Sequence, residues 1–389
     1  MKLAVSKRSA LIVQSEIRNM SIECDRIDGL NLSQGVCDLS LPMPVKNGAK
    51  QALDAGLNQY TRYDGIDELR RSIAKKLKQY NHILAHPDKN IVVSCGATGA
   101  FYSACLALLN PGDEVIIFEP YYGYHVNTLL AANTKPVFVK LTAPDWIFSL
   151  AELKKHITKK TRGIMVNTPA NPSGKVFSRQ ELEDIAQVAL KHDLFIFTDE
   201  IYEYFIYDGL KHISPGSLPE IKDRTISISG YSKTFSITGW RVGYCVCDEK
   251  WAKMIGYIND LIYVCAPAPL QFGVFKGIES LPDKFYSGLC QEYLFKRNKI
   301  CRALEMAGLI PFIPKGAYYV LANASRLPGP TSKDKAMFLL KKTGVASVPG
   351  EAFYHDQSGK DILRFCFAKK DSVLDEACRR LIKLKKRIK

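Results

Sequence analysis

The sequence predicts an α/β protein, with a mostly parallel, doubly wound sheet in a large domain joined to a smaller α+β domain. Three observations carry this. A chain of 389 residues is long for a single hydrophobic core. From about residue 91 to 250, short apolar runs alternate with helical patterns, the rhythm of strands linked by crossover helices that cover both sheet faces. Beyond about residue 285 that rhythm gives way to a long charged helix followed by isolated strands and helices. The expected division is residues 40–285 as the large domain, and 1–39 with 286–389 as the small one.

In chain order, the short polar turn Asn58–Tyr63 precedes an amphipathic helix that begins near Asp67. Asn90–Ser94 is strand-like, and Ala100–Leu109 reads as a helix closed by Asn110, Pro111 and Gly112. Val115–Phe118, Arg162–Val166, Leu194–Thr198 and Thr225–Ser229 are short apolar runs of buried-strand type. Trp240–Cys247 follows the last of these too closely for a crossover helix, so it is expected as an antiparallel neighbour. The second unit comprises a helix over Ser287–Gly308, a strand at Ala317–Leu321, a helix near 332–343, a strand at Ile362–Ala368 and a final helix. There is no internal repeat or low-complexity segment.

Composition narrows the function classes. Apolar residues make up 47% and charged residues 24%, an ordinary globular balance. No apolar run approaches the roughly eighteen residues of a membrane span. The segment MKLAVSKRSALIVQSEIRNM lacks a signal-peptide core and cleavage site, so a cytoplasmic protein without membrane association is expected. The eleven cysteines, among them Cys24, Cys37, Cys95, Cys105, Cys245 and Cys247, are scattered with no CxxC spacing. They read as reduced core thiols, with no metal site expected. A net charge of +15 raises the question of nucleic acid. The charge is spread, however. Its densest run, Arg379–Lys389, carries Leu381, Ile382, Leu384 and Ile388 at helical spacing, as a solvated helix face does. No nucleic-acid partner is expected.

Ligand sites in open α/β sheets lie at the carboxyl ends of the strands, and the polar clusters of this sequence fall there. After the first strand come Ser94, Cys95, Gly96, Ala97, Thr98 and Gly99, which suit either an anion at a helix N-terminus or an ordinary helix entry. After the second comes Glu119-Pro120-Tyr121-Tyr122-Gly123-Tyr124, whose aromatics cover a planar ring or simply pack in a loop. After the third, Asn167-Thr168-Pro169-Ala170-Asn171-Pro172-Ser173-Gly174 is a rigid turn presenting two amides. The fourth runs into Asp199-Glu200-Ile201-Tyr202, and a carboxylate at the end of a central strand is costly unless it meets a cation or donor. The fifth ends in Ser229-Gly230-Tyr231-Ser232-Lys233-Thr234, with Gly239-Trp240-Arg241 shortly after. A lysine in a small, polar turn between apolar segments can have its amine depressed enough for nucleophilic work.

Taken together and in this order, these segments resemble those of the fold-type I pyridoxal-phosphate enzymes, specifically the class I aminotransferases. The resemblance runs from about Leu32 to Ala368 and rests above all on Asn171-Pro172-Ser173-Gly174, Asp199-Glu200-Ile201-Tyr202 and Ser232–Gly243. It implies pyridoxal 5'-phosphate as cofactor, held by Lys233 as a Schiff base. It also implies that Asp199 pairs with the pyridine nitrogen, and that Tyr202 and Asn171 donate to the ring 3'-oxygen. By the same resemblance Tyr122 stacks on the ring, while Ala97, Thr98, Ser232 and Arg241 lie at or beside the phosphate. Gly35 and Arg364 are placed at the substrate carboxylate, with Asn171 beside them. Tyr60 resembles a tyrosine donated across a homodimer to the neighbour's phosphate. The implied activity is amino transfer between an L-amino acid and a 2-oxo acid. Glutamate and 2-oxoglutarate form the expected partner pair, and the second amino acid is aspartate, aromatic or neutral.

Physical logic stands beside the resemblance. A displaced Lys233 can act as general base, Asp199 can keep a pyridinium charged, and Arg364 suits a planar carboxylate bidentately. Three positions depart from the pattern. Many relatives have a phosphate-binding Ser where this chain has Gly230, for which Ser229 or backbone is the expected substitute. Thr98 stands where some aspartate-specific relatives have Lys. Val264-Cys265-Ala266-Pro267 replaces the Phe-His of kynurenine-type relatives. A β-lyase acting on cystathionine-like substrates shares every motif and is the alternative reading. The sensor module of a transcription regulator would need a DNA-binding domain ahead of Leu32, where only about thirty residues stand.

Overall fold

The computed structural model describes residue 3, residues 5–12 and residues 15–384. Leu30–Asn31 (β1) is a short strand of the N-terminal region. The central sheet then draws on Ile91–Ser94 (β2), Glu114–Glu119 (β3), Lys135–Lys140 (β4), Thr161–Asn167 (β5), Phe195–Asp199 (β6), Thr225–Gly230 (β7) and Gly243–Val246 (β8). These seven strands are ordered β2-β8-β7-β6-β5-β3-β4. β3 to β7 pair in parallel, and β8 runs antiparallel to both β2 and β7, as expected from its short connection.

The predicted strands all form, with small differences at their ends. The helix expected at Ala100 starts earlier, at Gly96, directly off the end of β2. This is possible because Gly96 takes a positive φ of 75° that turns the strand into the helix. β4 was not anticipated. It is a sheet edge of sequence KPVFVK, with an exposed lysine at each end and only Val139 fully buried. Edge strands guarded by lysine and proline lose the apolar signature that marks a central strand.

A four-stranded antiparallel sheet follows from Ile310–Phe312 (β9), Tyr319–Asn323 (β10), Val348–Pro349 (β12) and Ile362–Cys366 (β13), with Val345–Ala346 (β11) pairing instead with β1. The N-terminal region is therefore stitched to the C-terminal one. The long helix spans Asp283–Met306, and the next spans Ser332–Thr343 behind a capping box of Thr331 and Asp334. The last helix is Asp371–Ile382, and the end of the basic run, residues 385–389, lies outside the described residues. In the described part of that run Leu381 and Leu384 are buried, whereas Arg379 and Arg380 pair with Glu376 on the exposed side. All eleven cysteines are free thiols, eight of them buried. None of the helices among the described residues is long and apolar enough to cross a membrane.

Candidate active site

The carboxyl ends of β2, β5, β6 and β7 converge on a cleft of about 350 Å³. It is lined by Ala97, Thr98, Tyr122, Asn171, Asp199, Tyr202, Ser232, Lys233 and Arg241, together with Tyr124, Ile201 and Thr238. Nine of the residues predicted for the site thus come together here.

Lys233 sits in the turn after β7, three residues beyond Gly230. Phe235 N donates to the Tyr231 carbonyl at 2.9 Å and Ile237 N to the Ser232 carbonyl at 3.0 Å, closing the turn around it. Tyr231 and Phe235 stack at 4.7 Å and are buried, which anchors that turn to the core. The lysine amine donates to the Gly35 carbonyl at 3.3 Å. Burial pulls its pKa down to about 8, opposed by the nearby Asp199 carboxylate. At neutral pH roughly a tenth of such an amine is uncharged, against less than about a thousandth for a surface lysine.

Asp199 ends β6, where pairing with Asn167 on β5 fixes its position. One oxygen meets His125 Nε2 at 2.9 Å, and the other accepts from Ile201 N at 3.2 Å. His125 is buried in the first turn of the Gly123–Ala131 helix, with its ring edge-on to Tyr122 and Phe101. Sequence reasoning missed it. Its position three residues after Tyr122, on a helix opening at a strand end, was the available signal. Tyr202 donates to or accepts from Tyr319 at 2.9 Å, and burial pushes its phenol well above the ordinary value, so it remains an O–H. Tyr319 is a second residue the sequence did not single out.

At one end of the cleft the helix Gly96–Leu108 presents its N-terminus. Arg241, in a left-handed conformation at φ 54°, lays its guanidinium against this end, donating to the Thr238 carbonyl at 2.9 Å. A Cβ at Gly96 would overlap that guanidinium, and one at Gly243 would overlap Ala97 N. The glycines keep this cradle open. Free helix N–H groups, an arginine and the Thr98 and Ser232 hydroxyls together suit a phosphate.

Gly230 requires a correction. A Cβ there would lie 2.9 Å from Gly243 Cα, so the position is closed to serine by the neighbouring strand. Ser229 does not substitute: its hydroxyl is buried and donates to Glu203 Oε1 at 3.0 Å and the Glu200 carbonyl at 3.3 Å.

Arg364, on β13, is fully buried at the other side. It donates to Asn171 Oδ1 at 2.9 Å and to the Ser33 carbonyl at 2.5 Å, and its guanidinium lies 4.3 Å from the Tyr319 ring centre and 5.1 Å from that of Phe353. Its Nε is buried without a hydrogen-bond partner among the described residues. A buried cation with an unused donor is what a ligand carboxylate would complete. Gly35 lies beside it, and a Cβ there would overlap the Tyr319 hydroxyl. Tyr60 stands apart, 83% exposed and outside the cleft of its own chain. Among the described residues no cluster of histidine, cysteine and carboxylates could hold a metal ion.

The residues present therefore fit pyridoxal 5'-phosphate: an anion cradle, a flat aromatic wall, an inward carboxylate and a depressed lysine share one cleft. Comparison with known proteins agrees. A family described as aminotransferase class I and II matches residues 27–381. The aspartate aminotransferase of Pyrococcus abyssi is 37% identical over 98% of both chains. Kynurenine--oxoglutarate transaminase 3 of Rattus norvegicus is 33% identical over 97% of this chain and 90% of that one. The crystal structure of an aromatic aminotransferase from Pyrococcus horikoshii superposes with a TM-score of 0.90 at 34% identity, covering 99% of each chain. These relatives are transaminases, which favours amino transfer over the β-lyase alternative. The chain belongs to the class I and II aminotransferases, the pyridoxal-phosphate-dependent transaminases that move an amino group between an amino acid and a 2-oxo acid.

Proposed function

We propose that this aminotransferase exchanges amino groups between glutamate or 2-oxoglutarate and an aspartate, aromatic or neutral amino acid, with the residues above in the following roles. The observation that carries the reading is the half-buried Lys233, its amine held at about 8, in one cleft with Asp199 and Arg241. When bound, the cofactor supplies a carbonyl carbon for the amino group and a ring that accepts electrons. Arg241, Ser232, Thr98 and the N–H groups at Ala97 hold its phosphate. Tyr122 covers one ring face, and Tyr202 and Asn171 donate to the 3'-oxygen. Asp199, steadied by His125, holds a proton at the pyridine nitrogen. Arg364, with Asn171 and Gly35 beside it, binds the substrate α-carboxylate and so aims the Cα–H at the amine. Lys233 Nζ takes the proton from Cα and returns it in the reverse half-reaction.

The division of the chain into 40–285 and 1–39 with 286–389 belongs to this reading. The β1–β11 pairing, which joins the N-terminal region to residues 345–346, supports it. The eleven free thiols support a reducing, cytoplasmic setting. The activity is tested by a panel of single half-reactions. Glutamate and at least one of aspartate, phenylalanine, tyrosine, kynurenine or methionine should shift the visible absorbance of the holoenzyme, and 2-oxoglutarate should restore it. Release of ammonia and pyruvate from cystathionine-type substrates without amino transfer would contradict the proposal.

The protein is further proposed to act as a homodimer with shared sites. Tyr60 is exposed in its own chain, and Leu57, Leu261 and Val264 are exposed apolar residues of the kind a partner subunit covers. A two-fold axis would place each Tyr60 at the opposite phosphate. Mixing Tyr60→Phe subunits with Lys233→Ala subunits should give hybrids in which one site keeps both native groups, so activity rises above that of either parent. Absence of such rescue, or a monomer by sedimentation at assay concentration, would rule it out.

A further inference from the structure

Glu119, the last residue of β3, is wholly buried and takes no part in the chemistry described above. Its carboxylate accepts twice from a single residue of the C-terminal region: from His355 N at 2.6 Å on one oxygen, and from His355 Nδ1 at 2.9 Å on the other. Burial pushes the Glu119 carboxyl up, and the two bonds from His355 pull it back. A carboxylate sunk in a sheet with one bidentate partner is costly to form and costly to break.

The segment that Glu119 holds is short and fastened at both ends. At its start, Val348–Pro349 pairs with β13, and Val348 faces Arg364 in register. Gly350 and Gly359 meet backbone to backbone, leaving no room for a Cβ at either. Phe353 follows, its carbonyl accepting from Tyr121 N at 2.9 Å and its buried ring lying over the Arg364 guanidinium. At its far end the His355 ring stacks on Phe138 at 4.7 Å, and Asp356 pairs with Lys140 at 2.6 Å. The segment thus runs from the strand paired with the one that carries Arg364 to the edge of the central sheet, and Glu119–His355 is its buried fastening there.

We propose that Glu119 and His355 are positioning residues, a carboxylate–imidazole clasp that seats Phe353 on Arg364 and so sets the affinity for the α-carboxylate of both amino acid and oxo acid. This rests on the reading of Arg364 as the carboxylate receptor. Loosening the clasp frees the ring that shields the guanidinium, and neither Glu119 nor His355 bonds to Lys233, Asp199 or Arg241. Binding that is uniform between ground and transition state appears in KM and not in kcat.

The test uses the holoenzyme. His355→Phe keeps a ring on Phe138 but removes the side-chain bond to Glu119. Because His355 is partly exposed, this variant does not place a new group in the core. KM for amino acid and oxo acid should rise together by about tenfold, with kcat within about twofold of wild type. The dissociation constant of a plain monocarboxylate, propionate, read from the cofactor absorbance, should rise by the same factor. Glu119→Gln, which keeps the shape and one acceptor, should fall between the two. Unchanged KM and propionate affinity in His355→Phe would overturn the proposal. So would an equal fall in kcat with loss of cofactor absorbance, the mark of a folding role. Arg364→Lys measured alongside separates the two claims. If it too leaves propionate binding intact, the reading of Arg364 fails; if it alone weakens binding, only the clasp fails.

Discussion

Replacing Lys233 with alanine is expected to lower turnover by at least about 10⁴-fold, the combined scale of losing an activated amine and its general-base role. Lys233 is the one amine among the cleft-lining residues, and burial holds it at about 8 where a surface lysine stays near its ordinary value. Arg241, the other cation lining the cleft, donates to the Thr238 carbonyl, and its planar guanidinium offers donors only. No second amine lines the cleft to take its place. The cofactor should still enter, since the phosphate cradle at Gly96 and Arg241 and the Asp199 carboxylate are separate from the amine. Stopped-flow half-reactions with glutamate measure the loss, and added methylamine should recover a small part of the rate. A fall of less than about a hundredfold would show that another group carries the proton.

Asp199→Ala is expected to have the next largest effect, roughly a thousandfold on the half-reaction, the size seen when one preorganised electrostatic partner is removed. The carboxylate ends β6 in a fixed register with Asn167, and its two oxygens are already held by His125 and by Ile201 N. That prior arrangement means no reorganisation is needed when charge develops opposite it. His125→Ala leaves the carboxylate in place and only loosens it, so its loss should be smaller, about tenfold. Equal effects from the two substitutions would mean that His125 is as essential as Asp199 and does more than steady it.

Much of this site was legible in the sequence because its residues follow strand ends. Each apolar run is short and buried, each stops where the sheet stops, and the polar residue just beyond it lands on one rim. Lys233, Asp199, Tyr202, Asn171 and Arg241 stand out in the clusters after those runs and do share the cleft, while the roles read for them come from the family resemblance. What was missed depends on contacts distant in sequence. His125 meets Asp199 across 74 residues and Tyr319 meets Tyr202 across 117, and neither local pattern announces the pairing. Of the two substitutes expected at Gly230, Ser229 or backbone, Ser229 fails for the same reason. Alternation along a strand puts neighbours on opposite faces; Ser229 turned to Glu203, while Gly230 was fixed by its contact with β8. β4 escaped because its apolar residues sit between guarding lysines at a sheet edge.

The central claim, that Lys233 carries the cofactor, is tested most directly by borohydride reduction of the purified holoenzyme followed by peptide mapping. The account predicts a visible absorbance band that disappears on reduction, and one stable pyridoxyl adduct on the tryptic peptide containing Lys233. An adduct on any other lysine, or protein that binds the cofactor without a reducible bond, would contradict it.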